Sequence, residues 1–244
     1  MMSRPLRDLG PLARLRAPGA PLAIGSALGT ARASGGSLGA FVRDPCLPGA
    51  VLALTARHAL AGFGDFLPGE TVWAPWPSLA GAARVGVAHR ALALGPGGAA
   101  GALDAALVTL DASTAWTGPS EVTGAVRTLG PGDAGTRLHK VGAASGHTTA
   151  RLVAWHAAWS LPWPGVGGGT VALGPVLEIR DETGVAWSDG GDSGGLVFTD
   201  AGDPVGLVLA GGVDDRGAVS YATPLGLVLD ALGVTLAAGA DRVA

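Results

Sequence analysis

Glycine and proline set the terms for this chain. Among 244 residues there are 42 Gly and 17 Pro. Turns built from them punctuate the chain every ~8–12 residues and leave no long stretch that sustains the 3.6-residue apolar period of an amphipathic helix. Short runs rich in Val, Leu and Ala remain between them, which is the pattern of strands joined by turns. The pattern predicts strands at Leu22–Ala27, Gly39–Val42, Val51–Thr55, Thr71–Ala74, Ala82–Ala88, Ala106–Thr109, Arg137–Gly142, Thr148–Ala154, Val176–Arg180, Gly194–Phe198, Pro204–Ala210 and Ala218–Pro224. About a dozen strands suit a pair of barrels or a sandwich, not alternating β–α units. The Ala content argues for helix, but propensity is a weak prior beside pattern. Two segments are predicted helical. One is a single turn at Ala56–Ala61; the other is Leu225–Leu232, where Leu225, Val228, Leu229 and Leu232 recur at helical spacing before Gly233 ends the run.

Length allows one large domain or two small ones and is sufficient for a core of its own. Charged residues make up 14% of the chain, against about 25% in ordinary domains, so charge-driven disorder is excluded. The formal charge is 16 − 19 = −3, and fifteen of the sixteen basic residues are Arg, four of them in the first sixteen positions. The rest form no stripe, so a phosphate-binding surface is missing and nucleic acid is not expected as a partner. A lone Cys46 cannot close an internal disulfide, and with five scattered His it makes no four-ligand zinc spacing. No metal or cofactor is expected.

A single cysteine suits a reducing, cytoplasmic setting. Secretion is the alternative, if residues 1–33 act as a signal peptide. Arg4, Arg7, Arg14 and Arg16 precede the uncharged run Ala17–Ala31, and Ala31-Arg32-Ala33 has a small-x-small form. Pro18, Gly19, Pro21, Gly25 and Gly29 break that run, and an Arg is foreign to a cleavage triplet. The longest uncharged stretch, Leu152–Leu177, carries Pro162, Pro164, Pro175 and five glycines, so no membrane span is expected. Gly165–Gly169 within it is predicted to be a flexible loop.

The strongest local signal is Gly191-Asp192-Ser193-Gly194-Gly195. At this composition the pentapeptide arises by chance about 0.004 times. A Gly before the Asp lets the backbone turn its N–H inward, and a Gly after the Ser allows a substrate carbonyl to approach closely. A nucleophile beside backbone donors is what acyl transfer needs. Upstream, His58 stands just past the apolar run Leu52–Thr55, and Asp104 stands just ahead of the run Ala106–Leu110. The order is His, Asp, Ser, with separations 104 − 58 = 46 and 193 − 104 = 89. Asp111 and Asp65 are the competing acids.

In these residues the chain resembles the chymotrypsin-like (trypsin-fold) serine peptidases over about Ile24 to Val234. Weaker support comes from Gly36–Asp44, similar to an opening strand, and from Lys140-Val141-Gly142 with Gly146–Thr149, similar to the first hairpin of a second barrel. Val205–Val208 and Val219–Leu225 are similar to the strands that close the specificity pocket. The resemblance implies an all-β fold of two six-stranded antiparallel β-barrels with a short C-terminal helix. Residues 1–21 would be an N-terminal extension, 22–125 the first barrel with His58 and Asp104, and 126–244 the second barrel with Ser193 and the helix.

It further implies Ser193 as nucleophile, His58 as general base, Asp104 as the orienting carboxylate, and the N–H groups of Gly191 and Ser193 as the oxyanion hole. The expected activity is that of a serine endopeptidase on a polypeptide substrate, general or a dedicated partner protein. The alternative is a catalytically inactive trypsin-fold binding or scaffold protein. With no Cys adjoining His58 on its C-terminal side or Ser193 on its N-terminal side, the chain resembles the disulfide-free bacterial branch. No Ile/Val-Val-Gly-Gly activation site precedes the first barrel, so Asp192 needs a partner other than a new N-terminus, or an inherently ordered loop. For substrate binding, Trp187 stands six residues before Ser193, where trypsin-type members carry an acid. It would narrow the pocket toward small or uncharged P1 side chains, or else pack outward into the barrel. Ala210, Gly211 and Gly212 are expected on the opposite wall, and Asp189 is close enough to add charge.

Overall fold

The computed structural model describes residues 20–94, 102–118, 122, 124–163 and 169–237. In chain order its strands are β1 (Ala27–Leu28), β2 (Gly36–Ser37), β3 (Ala40–Arg43), β4 (Leu52–Thr55), β5 (Thr71–Ala74), β6 (Ala83–Ala91), β7 (Ala106–Leu110), β8 (Arg137–Gly142), β9 (Gly146–His156), β10 (Trp159–Trp163), β11 (Gly169–Leu173), β12 (Val176–Arg180), β13 (Leu196–Thr199), β14 (Pro204–Asp214), β15 (Gly217–Pro224) and β16 (Thr235–Leu236). Helix α1 (Arg57–Ala61) follows β4, and α2 (Leu225–Leu232) follows β15. Among the described residues no helix is long and apolar enough to cross a membrane.

Two six-stranded antiparallel systems result. The first is a sheet in the order β16-β3-β4-β7-β6-β5; the second is a closed barrel, β12-β15-β14-β13-β8-β9. Strand alternation explains the second core. Along β8 the inward positions are Leu138, Lys140 and Gly142, while Arg137, His139 and Val141 lie toward the outside. Leu138, Leu152, Leu177, Ile179, Val197, Val208 and Ala222 fill the interior. The sheet has its own core, in which Leu52, Leu54, Val72, Val85, Leu107 and Val108 are fully or almost fully buried.

The C-terminal segment crosses back to the first sheet. Leu225, Val228, Leu229 and Leu232 of α2 belong to the first core, not the second, and β16 pairs with β3, Thr235 opposite Arg43. Gly233 ends α2 in the left-handed conformation at φ 62°, which lets the chain turn toward that edge. The expected opening strand Leu22–Ala27 is instead a turn. Gly25 sits at φ 77°, Ser26 N–H donates to Ala23 O, and the regular pairing is reduced to β1 with β2. The sixth strand of the first sheet is therefore supplied from the far end of the chain.

Hairpin β10–β11 has no counterpart in the predicted strands, because Pro162 argues against one. Its two strands pair with each other, Pro162 opposite Thr170, and β11 adds a single bridge from Leu173 to Ala102, so a missing N–H on β10 costs no central ladder bond. Trp159 stacks on Tyr221 with ring centroids 4.1 Å apart, and Val171, Leu173, Val176 and Leu209 make a small third core beneath the hairpin. Of the predicted loop Gly165–Gly169, residues 165–168 lie outside the described residues, and Gly169 begins β11. If α2 fastens the first core, Leu225→Ala should lower the unfolding free energy by about 2–5 kcal/mol. Urea titration followed by tryptophan fluorescence would measure it.

Candidate active site

Paired strand ends bring His58 and Asp104 together. β4 and β7 run antiparallel with Thr55 opposite Ala106, so the residues just after one and just before the other leave the sheet at the same edge. α1 carries His58 there. Asp104 Oδ1 accepts the backbone N–H of His58 at 3.0 Å, and Oδ2 is hydrogen-bonded to the imidazole Nδ1. The Asp104 side chain is wholly buried, while that of His58 keeps 19% exposure. The competing acids are elsewhere: Asp111 is paired with Arg84 at 3.0 Å, and Asp65 uses its carbonyl to accept from Arg32 at 2.8 Å.

Burial alone would push the His58 imidazole down, but the charge and hydrogen bond of Asp104 outweigh it, so its pKa is raised above the ordinary value of a histidine. Burial acts to raise the Asp104 carboxyl, and the adjacent His58, with Arg57 behind it, holds it below the usual carboxylate range. Arg57 is itself largely buried and donates to Gly64 O at 2.9 Å. Its positive charge works against protonation of His58.

Ser193 is held against this region by close backbone contacts. Gly194, at φ +86°, leaves no room for a side chain: a Cβ there would lie 2.4 Å from Thr55 Oγ1 and 2.6 Å from Ala56 N. Those two residues precede His58 by three and two positions. A Cβ on Gly36 would likewise meet Ser193 O at 2.5 Å and Ala59 Cβ at 2.6 Å. Ser37, fully buried on β2, donates its N–H to Ser193 O at 2.7 Å and its hydroxyl to Gly191 O at 2.7 Å. The same hydroxyl accepts Ala143 N–H at 2.8 Å. Gly191, at φ +108°, lies on the ring of Trp76, where a Cβ would come within 2.6 Å. Along this loop Asp192, Gly194 and Gly195 spend their N–H groups on Asp189 O, Val208 O and Asp192 O.

The partner of Asp192 is Lys140, the chain's one lysine, and both side chains are wholly buried with Nζ–Oδ2 at 3.1 Å. Asp192 Oδ1 also accepts the N–H groups of Ala144 (2.8 Å) and Ser145 (3.0 Å), and Oδ2 accepts Asp189 N–H (2.9 Å) and the Ser145 hydroxyl. Lys140 donates to Ser145 Oγ and to Gly146 O. Burial pulls the lysine below its ordinary pKa, opposed by the charge of Asp192. The fully hydrogen-bonded geometry is what makes a buried pair tolerable. Its one sequence signal is the strand period, which turns Lys140 inward with Leu138. Ser37, Trp76 and Ser145 have no signal beyond their residue types.

The expected pocket residues divide. Ala210, Gly211 and Gly212 are half-buried on β14, opposite Tyr221, Ser220 and Val219 of β15. Trp187 is not exposed to a ligand: it is 2% accessible within the second core, with Lys140 Nζ 5.8 Å from its ring centre. An indole buries more apolar surface there than at a pocket wall, although its Nε1 finds no hydrogen-bond partner among the described residues. Asp189 is exposed and accepts Gly190 N–H at 2.7 Å. Among the described residues no three His, Cys, Asp or Glu side chains are grouped to hold a metal ion.

Removing one member of the buried pair strands the other. Lys140→Met should lower stability by about 3–5 kcal/mol, and adding Asp192→Asn should recover part of the loss. A denaturant double-mutant cycle measures the coupling; additive losses would show that the two side chains do not act as a pair.

No family model matches the chain, and no curated protein matches it in sequence. Solved structures do match its fold. Thermobifida fusca protease A is 17% identical, with 90% of this chain and 100% of that one aligned at a TM-score of 0.60. Nocardiopsis protease is 19% identical over 90% and 100% of the two chains, TM-score 0.57. Cellulomonas bogoriensis chymotrypsin is 18% identical over 89% and 99%, TM-score 0.57. The chain has the chymotrypsin-like fold of the bacterial serine proteases.

Proposed function

We propose that the chain is a serine endopeptidase whose catalytic groups are Ser193, His58 and Asp104. The observation that carries this reading is the imidazole Nδ1 bonded to a buried carboxylate, in a fold that packs the residue after Ser193 onto Thr55 and Ala56. A proton kept on Nδ1 leaves the lone pair on Nε2, the tautomer a general base needs.

Ser193 Oγ attacks the carbonyl carbon of the scissile peptide while its proton passes to His58 Nε2. Asp104 balances the imidazolium that forms. The negative carbonyl oxygen is received by the N–H groups of Gly191 and Ser193, the two between Gly191 and Gly195 not engaged by other backbone carbonyls among the described residues. His58 returns the proton to the leaving nitrogen, the C–N bond breaks, and the acyl group stays on Ser193. Water, deprotonated by His58, then attacks the ester, releasing the carboxylic acid product and restoring the serine. A polypeptide fits as substrate, including a dedicated partner protein, and the exposed free thiol of Cys46 supports a reducing, cytoplasmic setting.

A fluorophosphonate probe tests the reading directly. It should label the unaltered protein and not Ser193→Ala, whose peptide cleavage should fall by about 10⁴-fold or more; cleavage that survived this change would refute the assignment of the nucleophile.

The raised pKa of His58 fixes the pH dependence. The base must be neutral, so kcat/KM should rise with pH through a midpoint above about 6.5, the ordinary histidine value. Asp104→Asn should move that midpoint down and lower kcat by about 10⁴-fold, whereas Asp111→Asn, on its surface pair with Arg84, should change neither. Peptide hydrolysis measured from pH 5 to 9 separates the two variants.

A further inference from the structure

We infer that the space beside Ser193 admits only small P1 side chains, and that Gly211, Ser188 and Ser220 set this limit in place of Trp187. The inference rests on the peptidase reading above. Gly194 N–H donates to Val208 O at 2.7 Å, and Val208 N–H donates to Gly195 O at 2.9 Å. These bonds lash β14 to the residues that follow the nucleophile. Ala210–Gly212, further along the same strand, therefore run beside the segment 187–191 that leads into Ser193. A P1 side chain has to lie between these two walls.

The walls are nearly in contact. A methyl group on Gly211 would come within 2.9 Å of Ser188 Oγ and 3.6 Å of Ser220 Oγ. The two hydroxyls are hydrogen-bonded to each other at 2.7 Å and are only 7% and 2% accessible. Ser220 is the register partner of Gly211, so β15 fixes one hydroxyl of the pair against Gly211. A Gly, Ala or Ser side chain leaves the hydroxyl pair intact. Leu, Phe, Arg or Lys would have to part it and leave buried O–H groups without partners, a penalty that enzymes convert into large discrimination. Charge offers no compensation. The walls carry no Lys or Arg, and their one acid, Asp189, is exposed and already accepts the Gly190 N–H.

Cleavage of a diverse peptide library by the full chain, read by mass spectrometry beside fluorophosphonate labelling, tests this. Labelling with cleavage after Gly, Ala or Ser, at a kcat/KM at least tenfold above that for Leu, Phe, Arg, Lys or Glu, is the expected result. Labelling with equal or faster cleavage after the large or charged residues would overturn the inference and leave the peptidase reading standing. Absence of both labelling and cleavage would overturn the two together. The double variant Ser188→Gly, Ser220→Gly removes both hydroxyls and should raise kcat/KM for Leu or Met at P1 by tenfold or more. A library profile that the double variant leaves unchanged would remove Ser188 and Ser220 from the role.

Discussion

A buried carboxylate organises the segment around Ser193. Asp192 has no solvent, and an ionised carboxyl without solvent is tolerable only when charge and hydrogen bonds replace water on every lone pair. Lys140 does so from β8, Ala144 and Ser145 from the β8–β9 turn, and Asp189 from the loop of Asp192 itself. Each of these bonds fixes a backbone position on either side of the side chain. The loop 187–195 cannot move away from the turn at 143–146 without exposing a charge to an apolar interior. In secreted animal members of this fold family a new N-terminus performs the corresponding task, as the resemblance implies. Here the cation belongs to β8, is present as soon as the barrel closes, and needs no cleavage to appear.

A second constraint fastens the loop to the other half of the molecule. Gly194 and Gly36 are glycines because a side chain on either would meet Thr55 and Ala56 or Ser193 O and Ala59, and Gly191 because the Trp76 ring leaves no room for one. Ser37 turns that closeness into bonds, its N–H and hydroxyl reaching Ser193 O and Gly191 O. Trp76 is anchored in turn by its indole N–H on Gly36 O at 2.8 Å. The sequence Gly-Asp-Ser-Gly-Gly thus satisfies two demands at once. Its acid is held by the second barrel, and Gly194 lets the residue after Ser193 pack onto Thr55 and Ala56 of the first half.

Most of the strands are legible in the sequence because turns, not helices, divide this chain, and strand period 2 survives even where Ala replaces Val. Thr71–Ala74, Arg137–Gly142 and Val176–Arg180 have the bounds their patterns predict, as does helix Leu225–Leu232. What escapes a local pattern is non-local. Strand β16 is two residues long and exists because β3 has an open edge, a fact no window around Thr235 contains. Hairpin β10–β11 tolerates Pro162 because it stands apart from both larger systems. In the site, His58, Asp104 and Ser193 are legible as residue types in a familiar order. Trp187 is not legible as a core residue: an offset of six from Ser193 fixes a position along the chain, not the side of the backbone its ring occupies. Lys140 is visible as an inward-facing charge on a strand, but which acid it meets is decided by closure of the barrel around it.

Electrostatics and topology meet at α1. A five-residue helix has little stability of its own, and His58 rides on it; the geometry therefore depends on what grips the helix from outside. Asp104 holds both the backbone and the ring of His58, and Thr30 binds its hydroxyl to Leu60 O at 2.6 Å. Arg57, buried in the same turn, favours an ionised Asp104 and disfavours a protonated His58. These influences on the imidazole oppose one another, so its basicity is a balance in which the carboxylate wins. That balance leaves the ring more basic than an ordinary histidine. The same Asp104 that holds the imidazole thus also raises its basicity, and both effects trace to two residues left adjacent by the Thr55–Ala106 register of β4 and β7.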